Sequence, residues 1–332
     1  LYRKGLEIRE RVLGPDHPDT ATSYNNVAAN LNAQGQFAEA EPLYRKGLEI
    51  REMVLGPDHP DTAASYSNVA ANLNAQGRYA EAQPLYRKGL AIRERVLGPD
   101  HPDTAASYNN VAANLNAQGR YAEAEPLYRK GLEIRERVLG PDHPDTAQSY
   151  NNLAANLNTQ GRYAEAEPLH RKGLEIRERV LGQDHPDTAT SYNNMASNLN
   201  VQGRYDEAEP LFRKGLEIRE RVLGQDHPDT ATSYNNEAAN LNAQGRHVEA
   251  EPLFRKGLDI REQVLGPDHP DTASSYNNVS YNLFVQGRLA EAEPFLRKAV
   301  EVIERRVGPD HPRSKLYRAN LEVLEQRLGS GR

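Results

Sequence analysis

The sequence predicts an all-α protein built as an α-solenoid, an array of antiparallel helix hairpins. Three observations carry that expectation. A 42-residue segment, seen in Asn109 to Tyr150 as NNVAANLNAQGRYAEAEPLYRKGLEIRERVLGPDHPDTAQSY, returns from one end of the chain to the other. Within each copy, apolar and small residues recur at helical spacing. Glycine and proline punctuate every copy at the same places. A period of this size marks units that bury their apolar faces only against their neighbours.

Residues 1–13, LYRKGLEIRERVL, match the second half of the repeat and form a lone helix B. Gly14 ends it, and Pro18 fits the first turn of the next helix, where a missing N–H costs nothing. Asp19 at that N-terminus and Arg9 and Arg11 near the preceding C-terminus complement the helix dipoles. Ala21, Tyr24, Val27, Ala28 and Leu31 then define helix A, from Pro18 to Gln34. Gly35 breaks it. Phe37, Ala40, Leu43, Tyr44, Gly47, Leu48, Ile50 and Val54 define helix B, from Phe37 to Leu55, bent slightly at Pro42. Counting forward gives seven complete hairpins across 14–308, then a capping helix over 309–328 with a charged outer face, and a flexible tail over 329–332. A copy that covers the whole length favours one elongated domain.

Composition narrows the function. The 332 residues contain no cysteine, so no disulfide or thiolate metal site is possible and an intracellular, cytoplasmic setting is expected. A net charge of -6 argues against nucleic acid as a partner. No apolar run approaches the roughly 20 residues of a membrane span. The chain starts at Leu1 in mid-repeat and is expected to be a piece of a longer protein. No nucleophile–base pair, phosphate loop or HExxH signature occurs, so no enzyme activity and no cofactor are expected. Eight connector histidines, from His17 to His311, recur once per repeat. They are too sparse to converge on a metal and suit a capping role.

The Gln34-Gly35 turn, the aromatic Phe37 and Tyr44, and the small Ala40 and Gly47 resemble the tetratricopeptide repeat. The repeat length, Ile50-Arg51-Glu52 and the connector Leu55-Gly56-Pro57-Asp58-His59-Pro60 resemble its kinesin-light-chain type. That resemblance implies a right-handed superhelix whose concave wall, made mostly of A helices, binds peptides of partner proteins. It implies no chemistry. Leu31 stands where such repeats often carry tyrosine, and Asn30 where they often carry alanine. Gly47 and its equivalents cost about 1 kcal/mol each against alanine in a helix, which points to a close helix approach.

If Tyr24, Val27, Ala28 and Leu31 face the core, the opposite stripe is Thr22, Asn25, Asn26, Ala29, Asn32 and Ala33. By the resemblance, Asn26 holds the place of a ligand-contacting asparagine, with Asn68, Asn110, Asn152, Asn194, Asn236 and Asn278 as its equivalents. The first asparagine of each pair, Asn25, Asn109, Asn151, Asn193 and Asn235, is a second candidate for the same face, against a structural bridge between A helices. Asn30 is expected to satisfy a neighbouring backbone group. Helix A carries no lysine or arginine up to residue 286, which disfavours a carboxylate clamp; Arg45, Lys46 and Arg51 of helix B are read as a solvated outer face. Tyr281 and Phe284 place aromatics on the inner stripe of the last hairpin, as anchors for a partner or as packing for the cap. Glu237 puts a carboxylate into a core slot and needs an arginine or His247 to compensate it. The reading that follows is a peptide-binding scaffold. Its rival is a self-associating or regulatory array within a larger signalling protein.

Overall fold

The computed structural model describes residues 1–330, and its helices fall into two compact units. The first unit contains α1 (Tyr2–Leu13), the hairpins α2 (Pro18–Ala33) with α3 (Phe37–Val54), α4 (Pro60–Ala75) with α5 (Tyr79–Val96), α6 (Pro102–Ala117) with α7 (Tyr121–Val138), and then α8 (Pro144–Thr159). The second opens with α9 (Tyr163–Val180). It continues through the hairpins α10 (Pro186–Val201) with α11 (Tyr205–Leu223), α12 (Pro228–Ala243) with α13 (His247–Val264), and α14 (Pro270–Val285) with α15 (Leu289–Val307), and closes on α16 (Pro312–Ser330). Among the described residues there is no strand, as the all-α, solenoid-class expectation requires. Gly329 and Ser330, expected in the tail, complete α16, and residues 331–332 lie outside the described residues.

Helix ends follow the local chemistry. His17 is the N-cap of α2: its Nδ1 accepts the Asp19 N–H at 3.1 Å, and the same contact recurs at every connector through His311. That satisfies one of the donors a helix N-terminus leaves open. Thr20 Oγ1 donates to the Gly14 carbonyl at 2.8 Å, tying the start of one helix to the end of the last. Gly56 sits at φ +89°, a left-handed conformation that any side chain would strain.

Ala21, Ala28 and Leu31 of α2 and Ala40, Tyr44 and Ile50 of α3 are buried, as helical spacing requires. Successive hairpins are joined by polar bonds. Tyr66 donates its hydroxyl to Glu52 of the preceding helix, while Lys88 lies 4.3 Å from the centre of the Tyr66 ring. Such a cation–π contact contributes about 0.5–1 kcal/mol at an exposed site. Asn72 of α4 donates to both the Phe37 carbonyl (3.0 Å) and Asn32 Oδ1 (2.7 Å), so the Asn30-type position does satisfy a neighbouring backbone group.

Arg51 corrects the outer-face reading. Its Nη1 reaches Ser65 Oγ (2.9 Å) and its Nη2 reaches Thr22 Oγ1 (3.1 Å), so it bridges two successive A helices. Arg219 repeats this with Ser233 and Thr190 and is buried. Burial lowers the pKa of the Arg219 guanidinium, opposed by the nearby Asp229 charge. Two hydroxyls and the Asp229 carbonyl accept from its Nη1 and Nη2, while its Nε is buried without a hydrogen-bond partner.

The Gly47 column marks close approach of helix B to helix A. A Cβ on Gly257 would lie 3.1 Å from the Ala231 carbonyl oxygen and 3.1 Å from Asn235 Nδ2. In the last hairpin Ala299 is accommodated, and there Asn277 Oδ1 instead accepts from Asn320 Nδ2 of α16 at 3.1 Å. Gly257→Ala is therefore expected to lose about 1 kcal/mol, overpacking outweighing the helix-propensity gain. Urea titration beside the parent checks this; a stabilised variant would show that the asparagine yields freely.

Candidate peptide-binding face

Each A helix buries one stripe and leaves another open. In α6 the open stripe carries Asn110, Ala113 and Ala117, and in α10 Asn194 and Ser197; no charged side chain interrupts it. Asparagine occupies three other registers on these helices, and the structure gives each register different work.

The first asparagine of the pair is buried. Asn25, Asn109, Asn151, Asn193 and Asn235 are only 2–8% exposed. Asn109 Nδ2 donates to Ser149 Oγ (3.3 Å), Asn193 Nδ2 to Ser233 Oγ (3.1 Å) and Asn235 Nδ2 to Ser275 Oγ (3.3 Å), so this register links consecutive A helices. Its placement corrects the expectation that it shares the ligand face: the space left by the Gly47 column draws the carboxamide inward. The Asn30 and Asn32 registers pair with each other between repeats, as Asn240 Nδ2 with Asn200 Oδ1 at 2.8 Å shows.

The second asparagine of the pair behaves otherwise. Asn26 is exposed, and Asn68, Asn110, Asn152, Asn194, Asn236 and Asn278 are half-buried beside the small residues of the open stripe. Among the described residues the side chains of Asn26, Asn68, Asn110, Asn194, Asn236 and Asn278 make no hydrogen bond within the protein. Asn152 alone in this register accepts one, from Gln148 Nε2 at 2.7 Å. A carboxamide offers an acceptor and two donors side by side, which matches the C=O and N–H of an extended peptide.

Tyr281 is 58% exposed on α14, and Phe284 is half-buried one turn on. The Arg327 guanidinium of α16 lies 5.1 Å from the centre of the Phe284 ring, so the cap partly covers Phe284 and leaves Tyr281 open. Glu237 is 7% exposed in α12, and the group it approaches is Arg213 (Oε1 to Nε 3.8 Å), while His247 bonds Asn242 Oδ1 at 2.7 Å instead. No group of histidine and carboxylate side chains among the described residues is placed to hold a metal ion. No helix among them is long and apolar enough to cross a membrane.

Hairpins repeated in register define a helix-repeat protein of the solenoid class. Models described as tetratricopeptide repeat match residues 1–53, 24–94, 61–136, 103–179, 148–200, 187–263 and 233–284, and a further one matches 272–313. The chain belongs to the tetratricopeptide-repeat family, whose members generally mediate protein–protein interactions and are generally non-catalytic. It is similar to the crystal structure of a Podosopora anserina putative kinesin light chain with nearly identical TPR-like repeats, at 26% identity over 62% of this chain and 97% of that one, TM-score 0.51. BtubC (BKLC) from P. vanneervenii shares the fold at 22% identity, 71% of this chain, 92% of that one and TM-score 0.54. The apo form of RapI does so at 17% identity, 86% and 98% coverage and TM-score 0.62. No protein of curated function matches the sequence.

Proposed function

We propose that the chain is a non-catalytic scaffold that holds an extended segment of a partner protein along the open stripe of its A helices, with the second asparagine of each pair bonding the partner backbone. The observation that carries this reading is the contrast between registers: the Nδ2 groups of the buried Asn109, Asn193 and Asn235 bond serines of the next A helix, while Asn110, Asn194 and their equivalents other than Asn152 make no bond within the protein. The absence of charge along the stripe suits an uncharged segment rather than a carboxylate terminus or nucleic acid.

A peptide-library selection on this chain, run beside Asn68→Ala/Asn110→Ala/Asn152→Ala, all within the first unit, tests the reading. At about 1 kcal/mol per amide contact the triple variant should bind the selected peptides roughly 100-fold more weakly. Peptides that bind both proteins equally would remove the asparagine register from the ligand face and favour the self-associating array, which concentration-dependent light scattering would detect.

A further inference from the structure

Two apolar pockets adjoin Tyr281 on the open side of the second unit. One, about 140 Å³, lies between α14 and α16 and is lined by Phe284, Leu296, Val323 and Leu324 with Asn277 and Asn320 at its edge. The other, about 280 Å³, lies between α12 and α14 and is lined by Ala239, Ala243, His247 and Phe254 with Asn242 and Asn278. Tyr281 belongs to both and forms the ridge between them. No aspartate, glutamate, lysine or arginine lines either one. The other hairpins cannot build this pair, because the positions of Tyr281 and Phe284 are held there by residues of the Ala29 and Asn32 kind.

We propose that these pockets are the anchor of the peptide-binding face and take two bulky apolar side chains of one uncharged partner segment, spaced three residues apart in a polyproline II conformation. The inference rests on the proposed scaffold function and names its partner class. Adjacent packed helices stand about 8–10 Å apart, and a polyproline II chain advances about 9 Å in the three residues that bring a side chain back to the same side. A β-strand returns its side chains every two residues, about 7 Å, and puts the third on the opposite side. An α-helical partner could match the interval at i and i+7, yet its backbone groups are already paired and would leave the Asn278 carboxamide unused. The neutral lining matches a segment without charged side chains, since a buried charge would lack compensation.

Fluorescence polarisation on the whole chain with a labelled Leu-Pro-Pro-Leu peptide tests the proposal. It should bind at least about tenfold more tightly than Asp-Pro-Pro-Asp, than Leu-Pro-Leu, and than a helix-forming peptide with leucines seven apart. Tyr281→Ala/Phe284→Asn restores residue types the other hairpins carry, so its helical circular dichroism should match the parent while affinity falls at least about tenfold. Absence of binding, equal binding by that variant, or preference for the helical peptide overturns the proposal. The library selection separates the two readings: selected peptides that need Asn68, Asn110 and Asn152 while Leu-Pro-Pro-Leu ignores Tyr281 sink the anchor alone, and Leu-Pro-Pro-Leu binding that needs Tyr281 while selected peptides ignore those asparagines sinks the asparagine face alone.

Discussion

Glu237→Val is expected to stabilise the protein by about 1–4 kcal/mol, the range seen when a poorly compensated buried charge gives way to a hydrophobe of similar size. Val27, Val69, Val111, Leu153, Met195 and Val279 hold the equivalent slot, so α12 is built to receive an apolar side chain. Among the described residues the one cation near Glu237 is shared with a second carboxylate: Arg213 stands 3.8 Å from its Oε1 and 2.8 Å from Glu209. Desolvation pushes the Glu237 pKa up, and the Glu209 and Glu220 charges push the same way against Arg213. The sign follows from linkage. A carboxyl whose folded pKa is raised weakens the fold above that pKa and ceases to do so as the pH falls through it. Urea denaturation of parent and variant should therefore show the largest gap at neutral pH and a narrower one in mild acid. A variant no more stable than the parent would mean that Arg213 already compensates the carboxylate.

Acidification acts in the opposite sense through His170. This imidazole occupies the slot of Tyr44, Tyr86 and Tyr128 and is 2% exposed. Burial lowers its pKa from 6.5 to about 4. The unfolded chain thus takes up a proton near pH 6.5 that the folded chain refuses until about pH 4, and stability falls through that window as the pH drops. At about 1.4 kcal/mol per pKa unit the loss approaches roughly 3.5 kcal/mol. His170→Tyr should flatten the pH dependence across this window while leaving the fold unchanged. Equal slopes for the two proteins, measured by denaturant titration at a series of pH values, would show that His170 is not the group responsible.

The fold was legible because its determinants are local. Gly35, Gly56 and Pro60 mark the ends of helices, and Ala21, Ala28 and Leu31 repeat with a period that only a helix aligns. The site was legible in part. Asn25 and Asn26 are neighbours in sequence and about 100° apart on the helix, so periodicity allows either to face outward. What separates them lies elsewhere: the Gly47 column makes room for the first, and a serine of the following A helix receives its amide. Arg51 was misread for the same reason, since an arginine on a polar helix is more often solvated than buried. A signal for it did exist within the chain, because each such arginine has a serine 14 residues on, as in Arg51 with Ser65 and Arg219 with Ser233. The pocket beside Phe284 depends on side chains of α16 that follow no repeat pattern.

The Asn72 to Asn32 bond and its equivalents join positions 40 residues apart, as do Asn114 to Asn74 and Asn240 to Asn200. Since each joint presents the same donors and acceptors, removing or duplicating one whole period re-forms the junction with the chemistry it had before. Array length is therefore a variable that a gene can change by unequal crossing-over, without redesigning any interface.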